Sequence, residues 1–248
     1  MKTSSIYALA LALSVAAACD SKPDCSRCPG ASAAPKGASA SVGKTAPAKK
    51  AKAQNAATPD STASTKAATK GMALSAPGGV KLSTVGSPPK VGAAAPSFRV
   101  ARFVPGNRVP ETASWQDTWK GKPLIVSVVP SLDTPVCETQ TSMIQSKFAD
   151  GNYAGRAALV TVSRDLPFAM ARFAETHPGA TLLYSDFKYR DLGINWGIEV
   201  AETGLLARSV WVLDAAGKVV YAEVVNDQSA EPQYDPVFTA LDSVLKGS

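Results

Sequence analysis

Apolar and polar residues alternate in a regular way mainly in the second part of the chain, from about residue 96 onward. The clearest signal lies at residues 124–129, a β-branched apolar run that ends at Pro130 and predicts a buried strand. A short turn follows, and a helical pattern begins near Cys137, with apolar residues at helical spacing up to Phe148. This stretch predicts a strand, a turn and a helix at the centre of a folded domain.

The rest of this part of the chain continues the alternation of strand and helix. The predicted strands are residues 80–85, 96–104, 158–163, 180–184, 209–213 and 218–225, and the predicted helices are residues 166–175, 187–196 and 236–245, with a short turn or helix at 115–119. Residues 214–217 form a hairpin turn signal between the last two strands. This order is typical of an α/β thioredoxin-like fold, with a central mixed sheet flanked by helices, and we assign it to residues 80–248.

Residues 20–79 differ in composition from the predicted domain. They consist largely of Ala, Ser, Thr, Pro, Gly and Lys and have almost no bulky apolar side chains. Such a segment cannot bury enough apolar surface to offset the entropy that it would lose on ordering. The sequence therefore predicts a long, disordered N-terminal tether.

The net charge of +6 is unevenly distributed along the chain. Residues 20–93 contain 11 Lys and Arg against 3 acidic residues, whereas residues 94–248 contain 14 against 17. The basic residues of the tether are scattered among alanines without interleaved aromatic residues, so we do not expect nucleic acid as a partner. Such a tether is better suited to staying solvated or to lying near anionic lipid head groups.

The first 19 residues have the features of a secretory signal: Lys2, a short apolar run at 6–15, and alanines directly before Cys19. Cys19 at this point resembles the cysteine of bacterial lipoprotein signals, which becomes the lipid-modified N-terminus. The alternative is an ordinary cleaved signal with Cys19 uninvolved, because Ala16 stands where lipoproteins usually have Leu. The apolar run is too short to span a membrane. We expect an exported protein of the periplasm or cell envelope, anchored by a lipid on Cys19.

Cys25 and Cys28 form a C-x-x-C pair shortly after this signal. In an exported chain the pair can form its own small disulfide. It neither follows a buried strand nor opens a helix, as a redox pair of the thioredoxin type does. A zinc site would need two further ligands, and the single histidine, His177, is far away in sequence. The alternative to an inert disulfide is a tethered thiol that reduces Cys137.

Cys137 is the only cysteine in residues 94–248. It is predicted to lie where a strand has ended and a helix begins. Backbone N–H groups are unpaired at such a point and the helix dipole is positive there, and both features favour a thiolate. The position therefore indicates a catalytic thiol.

Residues 130–137, Pro-Ser-Leu-Asp-Thr-Pro-Val-Cys, match the P-x-x-x-T-x-x-C motif of the peroxiredoxins and are especially similar to the thiol peroxidase subfamily. Residues 91–98, 163–173 and 206–214 resemble other segments of that subfamily, in the same order. The resemblance covers about residues 80–245. It implies the same thioredoxin-like fold, in its peroxiredoxin form.

The resemblance also implies a role for each residue of the motif. Cys137, as a thiolate, would attack a peroxide oxygen and become a sulfenic acid. Thr134 would orient the thiolate and the peroxide, or would only cap the helix. Pro130 would shape and dry the pocket, and Arg208 would stabilise the thiolate and the developing charge, unless it is a plain surface residue. His177 is expected to be a loop residue rather than a general base.

One position departs from the family pattern. Thiol peroxidases typically carry a resolving cysteine in the helix after the Asp-Leu-Pro-Phe-Ala segment, and the corresponding residue here is Ala174. The sulfenic acid on Cys137 must then be reduced by an external thiol, by a second molecule, or by Cys25 or Cys28. A flexible tether of about 65 residues has a root-mean-square span of roughly 40–50 Å, which is long enough for the last alternative.

The implied function is a thiol-dependent peroxidase that reduces hydrogen peroxide and organic hydroperoxides and is one-Cys-like. The alternative is a peroxide sensor or redox-relay lipoprotein with little turnover. A thioredoxin-type oxidoreductase is disfavoured because Thr134 replaces a second active-site cysteine, and a structural lipoprotein is the weakest candidate. We expect no cofactor and no metal. The expected partners are peroxide, an external thioredoxin-like or small thiol reductant, the membrane through the lipid anchor, and a second copy in a homodimer.

Overall fold

The computed structural model describes residues 71–180 and 182–247. The predicted signal peptide, the lipidation site Cys19 and the Cys25–Cys28 pair lie outside the described residues. What the sequence predicts for these residues therefore remains a prediction.

Nine strands and four α-helices make up the described part of the chain. The strands are β1 (Ala73–Ala76), β2 (Val80–Ser83), β3 (Arg99–Arg102), β4 (Glu111–Ser114), β5 (Leu124–Val128), β6 (Ala158–Ser163), β7 (Leu183–Ser185), β8 (Ser209–Leu213) and β9 (Val219–Val224). The helices are α1 (Pro135–Asp150), α2 (Pro167–Thr176), α3 (Asp191–Asn195) and α4 (Tyr234–Lys246), with a 3-10 turn at Pro77–Gly79 and a π-helical turn at Trp115–Trp119.

Seven of the strands form one mixed sheet, in the order β4-β3-β7-β6-β5-β8-β9. β5 pairs with β6 in parallel and with β8 in antiparallel orientation. β1 and β2 form a separate antiparallel hairpin. The predicted fold class, a mixed sheet flanked by helices, is confirmed.

The central strand β5 shows why this sequence forms a buried strand. All five of its residues are buried, as expected for a β-branched run covered on both faces. Ile125 faces a cluster that includes Ile144 of α1 and Leu241 of α4. Val126 faces the other cluster, which includes Trp196 and Trp211. The sheet is thus covered on both sides. Among the described residues, no helix is long and apolar enough to cross a bilayer.

Two strands were not predicted from the sequence. β4 reads Glu-Thr-Ala-Ser and β1 reads Ala-Leu-Ser-Ala, and neither has the apolar alternation that identifies a half-buried strand. β4 forms at the edge of the sheet because β3 offers it backbone hydrogen bonds. β1 lies within the range 20–79 that the sequence assigned to the tether, so regular structure begins before residue 80.

Trp196 occupies the middle of the larger core. Its side chain is fully buried, and its indole N–H donates to the carbonyl of Pro96 at 2.8 Å. Phe98 and Trp211 meet its ring edge-on, at centroid distances of 5.6 and 5.0 Å. Edge-to-face pairs of this kind add to the free energy gained by burial.

Trp196→Phe should destabilise the fold by about 2–4 kcal/mol, because the substitution leaves a cavity and deprives the buried Pro96 carbonyl of its donor. Urea unfolding followed by circular dichroism measures the change. The matched control is Phe187→Leu at an exposed aromatic position, which should change stability by less than about 0.5 kcal/mol. Equal stabilities of the two variants would contradict this account of the core.

Candidate active site

Cys137 is the third residue of α1 and is fully buried. Val129 at the end of the β5 segment, Leu132 in the turn, and Met170 and Phe173 of α2 form a small apolar cluster with it. The predicted strand, turn and helix therefore place the thiol at a helix N-terminus inside an apolar enclosure. Unpaired backbone N–H groups and the positive end of the helix dipole lie at such a point.

The antiparallel pairing of β5 and β8 brings a distant cation to this point. Val128, the last residue of β5, lies opposite Ser209, the first residue of β8. Arg208 directly precedes Ser209, so it lies beside the end of β5, where the chain turns into the cysteine motif. Two residues separated by about 70 positions along the chain thus meet because the ends of two neighbouring strands coincide.

The guanidinium of Arg208 is buried and makes three hydrogen bonds. One terminal nitrogen donates to the sulfur of Cys137 at 3.2 Å. The other donates to Oε1 of Gln140 at 2.9 Å, and Nε donates to the carbonyl of Gln228 at 3.0 Å. Buried charges require compensation, and of these three acceptors only the thiol can become an anion. The arrangement therefore sets a buried cation directly against the sulfur of Cys137.

Gln140 is a site residue that the sequence analysis missed. It lies one helical turn after Cys137, is fully buried, and donates from Nε2 to the hydroxyl of Ser127 and the carbonyl of Val128. Its amide therefore links α1, β5 and Arg208. The only signal in the sequence was a glutamine three positions after the cysteine. A sequence does not show which polar residues of a helix face inward.

Thr134 and Pro130 lie where the motif predicts them, at the two ends of the turn between β5 and α1. Thr134 occupies the N-cap position of α1, but its side chain makes no capping hydrogen bond and donates instead to the carbonyl of Ser131 at 3.2 Å. Its side chain is exposed, whereas Pro130 is half-buried. The hydroxyl of Thr134 therefore lies at the surface, three residues before the buried Cys137 along the chain.

Asp165 holds this turn in place from the end of β6. Its carboxylate accepts from the hydroxyl of Ser131 at 2.9 Å, from the backbone N–H of Leu132 at 2.7 Å and from the hydroxyl of Ser163 at 2.7 Å. Asp165 belongs to the segment 163–173 that resembles the family, but its sequence position does not predict this contact. Hydrogen bonds to an ionised acceptor are among the stronger ones in proteins, so Asp165 fixes the turn against the neighbouring strand.

A surface groove of about 500 Å³ lies between the start of α1 and helix α2. Thr134 and Glu138 line it on one side, and Arg172 and His177 line it on the other. Phe173 belongs both to the wall of the groove and to the apolar cluster around the thiol. Leu132 and Phe173 therefore connect the groove to the apolar cluster around Cys137. A smaller cavity of about 60 Å³, lined by Met170, Ala180 and Leu183 among others, borders the same cluster.

His177 closes one end of this groove. Its Nε2 lies 2.9 Å from a carboxylate oxygen of Glu138, and its Nδ1 lies 2.9 Å from the carbonyl of Phe173. Nδ1 also lies 2.9 Å from the hydroxyl of Thr176, which donates to the same carbonyl of Phe173 at 3.0 Å. Nε2 therefore faces a carboxylate, and Nδ1 faces a carbonyl and a hydroxyl. The hydrogen bond to Phe173 raises the pKa of His177, and the contact with Glu138 raises it further. His177 thus links the end of α2 to the first turn of α1.

Ala174 is packed against the apolar cluster that contains Cys137. The position at which the family pattern expects a resolving cysteine therefore lies on the helix that covers the thiol. Cys137 is the only cysteine of the described residues and is free. No second thiol is available within this part of the chain.

Comparisons with known proteins agree with this geometry. The family model described as Redoxin matches residues 90–238. A thiol peroxidase of Listeria monocytogenes is 40% identical over 158 residues, which cover 63% of this chain and 90% of that protein. A thiol peroxidase of Bacillus subtilis is 38% identical over 169 residues, or 68% of this chain and 96% of that protein. The chain belongs to the thiol peroxidase subfamily of the peroxiredoxins.

Solved structures support the same assignment. A peroxiredoxin-like protein from Aquifex aeolicus superimposes with a TM-score of 0.60 at 32% identity, covering 71% of this chain and 99% of that one. A thiol peroxidase from Chromobacterium violaceum superimposes with a TM-score of 0.57 at 18% identity, over 71% of this chain and 98% of that one, and at this identity it shows the fold alone. This peroxiredoxin is therefore an enzyme of thiol-dependent peroxide reduction.

The contact between His177 and Glu138 should make stability depend on pH. Because the pKa of His177 is raised on folding, the folded chain binds the proton more tightly, so the stabilisation is fully present below the ordinary histidine pKa of about 6.5. It is lost as the pH rises through the raised value. The melting temperature of the wild type should exceed that of His177→Gln most clearly at about pH 5–6.5, and the difference should shrink at alkaline pH.

Thermal unfolding across this pH range measures the difference. The control is Glu175→Gln, which introduces glutamine at an exposed position of the same helix. A difference between wild type and His177→Gln that stays constant from acid to alkaline pH would show that the histidine contributes no linked proton.

Proposed function

We propose that this chain reduces hydrogen peroxide and organic hydroperoxides through the thiolate of Cys137. We propose further that a thiol outside the folded domain resolves the oxidised cysteine, so that the enzyme is one-Cys-like. The observation that carries the first proposal is the buried guanidinium of Arg208, 3.2 Å from the sulfur of Cys137. A cation fixed at a thiol that begins a helix supports a nucleophile rather than an inert core cysteine.

The chemical step follows from this arrangement. The thiolate sulfur attacks one peroxide oxygen, a sulfur–oxygen bond forms, and the oxygen–oxygen bond breaks with its electron pair. The departing oxygen leaves as hydroxide or alkoxide and takes a proton from solvent, while Cys137 becomes a sulfenic acid. Arg208 stabilises the negative charge as it moves from sulfur to the departing oxygen. A preorganised buried donor of this kind is among the largest contributions to catalysis.

Thr134 and Pro130 act at the entrance to the thiol. The hydroxyl of Thr134 lies in the wall of the groove, from which it would contact an entering peroxide after a change of rotamer. Pro130 has no N–H to offer and shields the sulfur side of the turn from water. Because Cys137 is fully buried, we propose that peroxide enters from this groove when its wall at Phe173 moves aside.

The second half of the cycle needs two electrons from thiols outside the described domain. One thiol condenses with the sulfenic acid, releasing water and forming a mixed disulfide, and a second thiol releases Cys137 by thiol–disulfide exchange. The absence of a cysteine at Ala174 supports a reductant that comes from elsewhere. A thioredoxin-like protein or a small thiol fits this requirement, and so does the Cys25–Cys28 pair of the same chain.

Replacement of the thiol tests the first proposal. In Cys137→Ser, peroxide consumption should fall by roughly a thousandfold or more with every reductant supplied, since the nucleophile is lost. Consumption is measured in the steady state with a dithiol, a small monothiol and a thioredoxin-like protein as alternative reductants. The double variant Cys25→Ser/Cys28→Ser is the control and should keep the first oxidation step of the wild type.

Two other outcomes of the same experiment decide against parts of the proposal. Activity that survives in Cys137→Ser would remove this cysteine from the mechanism. Stoichiometric oxidation of the wild type without turnover, whichever reductant is present, would favour the peroxide sensor or redox relay over the enzyme cycle.

The tether pair is the nearest candidate for the resolving thiol within the chain. If it resolves Cys137, the full-length protein oxidised with one equivalent of peroxide should contain a disulfide between Cys137 and Cys25 or Cys28, and peptide mapping under non-reducing conditions detects it. Oxidised protein that carries Cys137 as a sulfenic acid, with Cys25 and Cys28 joined to each other, would eliminate the tether as the reductant.

We also propose that the chain is exported and held at the periplasmic side of the cell envelope by a lipid on Cys19. The features that support this are the signal pattern before Cys19 and the tether composition after it. Mass spectrometry of the N-terminal peptide, from protein purified from the cell envelope, should show acyl groups on Cys19. An unmodified peptide would favour the alternative, an ordinary cleaved signal with Cys19 uninvolved. A homodimer is proposed by analogy with the family and is tested by sedimentation of the full chain.

A further inference from the structure

Arg208 is held on its main chain as well as at its guanidinium. Its backbone N–H donates to Oε1 of Gln228 at 2.6 Å, and its Nε donates to the backbone carbonyl of the same residue at 3.0 Å. Gln228 therefore accepts hydrogen bonds from both the main chain and the side chain of Arg208. Nε2 of Gln228 donates in turn to the carbonyl of Val225, whose N–H donates to the carbonyl of Arg208 at 2.9 Å.

These bonds close a ring around the start of β8. The main chain of Arg208 is bound through Gln228 and Val225, and its guanidinium is bound through Gln228, Gln140 and the sulfur of Cys137. A planar guanidinium has five donors in a fixed fork, so three acceptors in different directions determine its orientation. Gln228 supplies the acceptor at Nε, on the side away from the thiol.

The loop that carries Gln228 is itself fixed by the N-terminal hairpin. The backbone N–H of Gln228 donates to the carbonyl of Ser75 in β1 at 2.8 Å, and the N–H of Ser75 donates to the carbonyl of Asn226 at 2.8 Å. The loop after β9 is therefore bound on one side to β1 and on the other side to Arg208. Such two-sided binding limits the movement of the Gln228 carbonyl.

We propose that Gln228 is a positioning residue of the peroxidase, which acts on the reaction only through Arg208. The inference rests on the proposed function, in that it takes Cys137 as the nucleophile and Arg208 as the cation of the site. Gln228 does not touch the sulfur. It fixes the orientation of the Arg208 guanidinium. In this way it sets the direction of the terminal N–H that faces the sulfur and the incoming peroxide.

The position of the guanidinium matters because negative charge moves along the oxygen–oxygen bond during the reaction. A hydrogen-bond donor stabilises this charge best when it is already in place. Without the side-chain oxygen of Gln228, the buried N–H of Arg208 loses its acceptor, and a buried donor without an acceptor is costly. The start of β8 then shifts toward another acceptor and takes the guanidinium with it. A displacement of about 1 Å at a reacting group can lower a rate by about 100-fold.

Gln228→Met tests the inference, because methionine keeps the length of the side chain and removes its hydrogen bonds. The full-length variant should oxidise Cys137 about 10- to 100-fold more slowly than the wild type in single-turnover measurements with excess hydrogen peroxide. Thermal unfolding confirms that the variant is folded at the temperature of the assay. Gln228→Ala, which also removes packing volume, should lose a similar factor if the hydrogen bonds and not the volume are responsible.

Gln233→Ala is the matched control. Gln233 lies in the same loop region and is exposed, and its backbone N–H, which this substitution retains, donates to Glu223. Its single-turnover rate should stay within about twofold of the wild-type rate, as expected for an exposed side chain distant from the site. A loss in Gln233→Ala as large as that in Gln228→Met would mean that the loop responds to any change, which would overturn a specific role for Gln228.

A double-mutant cycle with Arg208→Lys separates positioning from general stabilisation. Lysine keeps the charge but has no fork to orient. If Gln228 acts through the arginine, Gln228→Met should slow oxidation by less than about twofold in the Arg208→Lys background. The same fold loss in both backgrounds, or a wild-type rate in Gln228→Met, would overturn the inference. Failure of the proposed function is distinguishable, because it shows as peroxide oxidation that survives Cys137→Ser.

Discussion

A buried contact between a guanidinium and a sulfur atom is the constraint on which this site depends. Arg208 is almost completely buried, and its side-chain acceptors are the sulfur of Cys137, an amide oxygen of Gln140 and the carbonyl of Gln228. A cation that is withdrawn from water without a carboxylate partner needs an anion nearby. The thiol is the one group of this set that can supply it. The fold thus sets a buried cation directly against the sulfur, and this contact supports the proposed use of Cys137 as the nucleophile.

The surrounding structure keeps that contact in place from several sides. Gln140 ties Arg208 to the end of β5, and Asp165 ties the cysteine turn to the end of β6. The N-terminal hairpin holds the loop of Gln228. These are hydrogen bonds between elements far apart in sequence, and in a low-dielectric interior such networks rigidify a site more than isolated surface contacts do. Hydrogen bonds from several separate segments of the chain therefore hold the contact between Arg208 and Cys137 and the turn beside it.

The same enclosure also limits access to the thiol. Helix α2 covers Cys137 with Met170 and Phe173, and His177 at its end is bound to the first turn of α1. Ala174 lies on this helix, and Cys137 is the only cysteine of the described residues. The helix that covers the thiol therefore carries no second cysteine.

The sequence by itself determined the features that depend on local pattern. The β-branched run of β5, the helix after it and the P-x-x-x-T-x-x-C motif were sufficient to predict the fold class, the family and the place of Cys137 at a helix start. Tertiary structure alone decided which distant or inward-facing groups meet there. Gln140 faces inward, Asp165 reaches the turn from the end of the neighbouring strand β6, and Gln228 holds the arginine because β9 ends beside the start of β8. Strand pairing and burial bring such residues together, and neither leaves a local pattern in a single sequence.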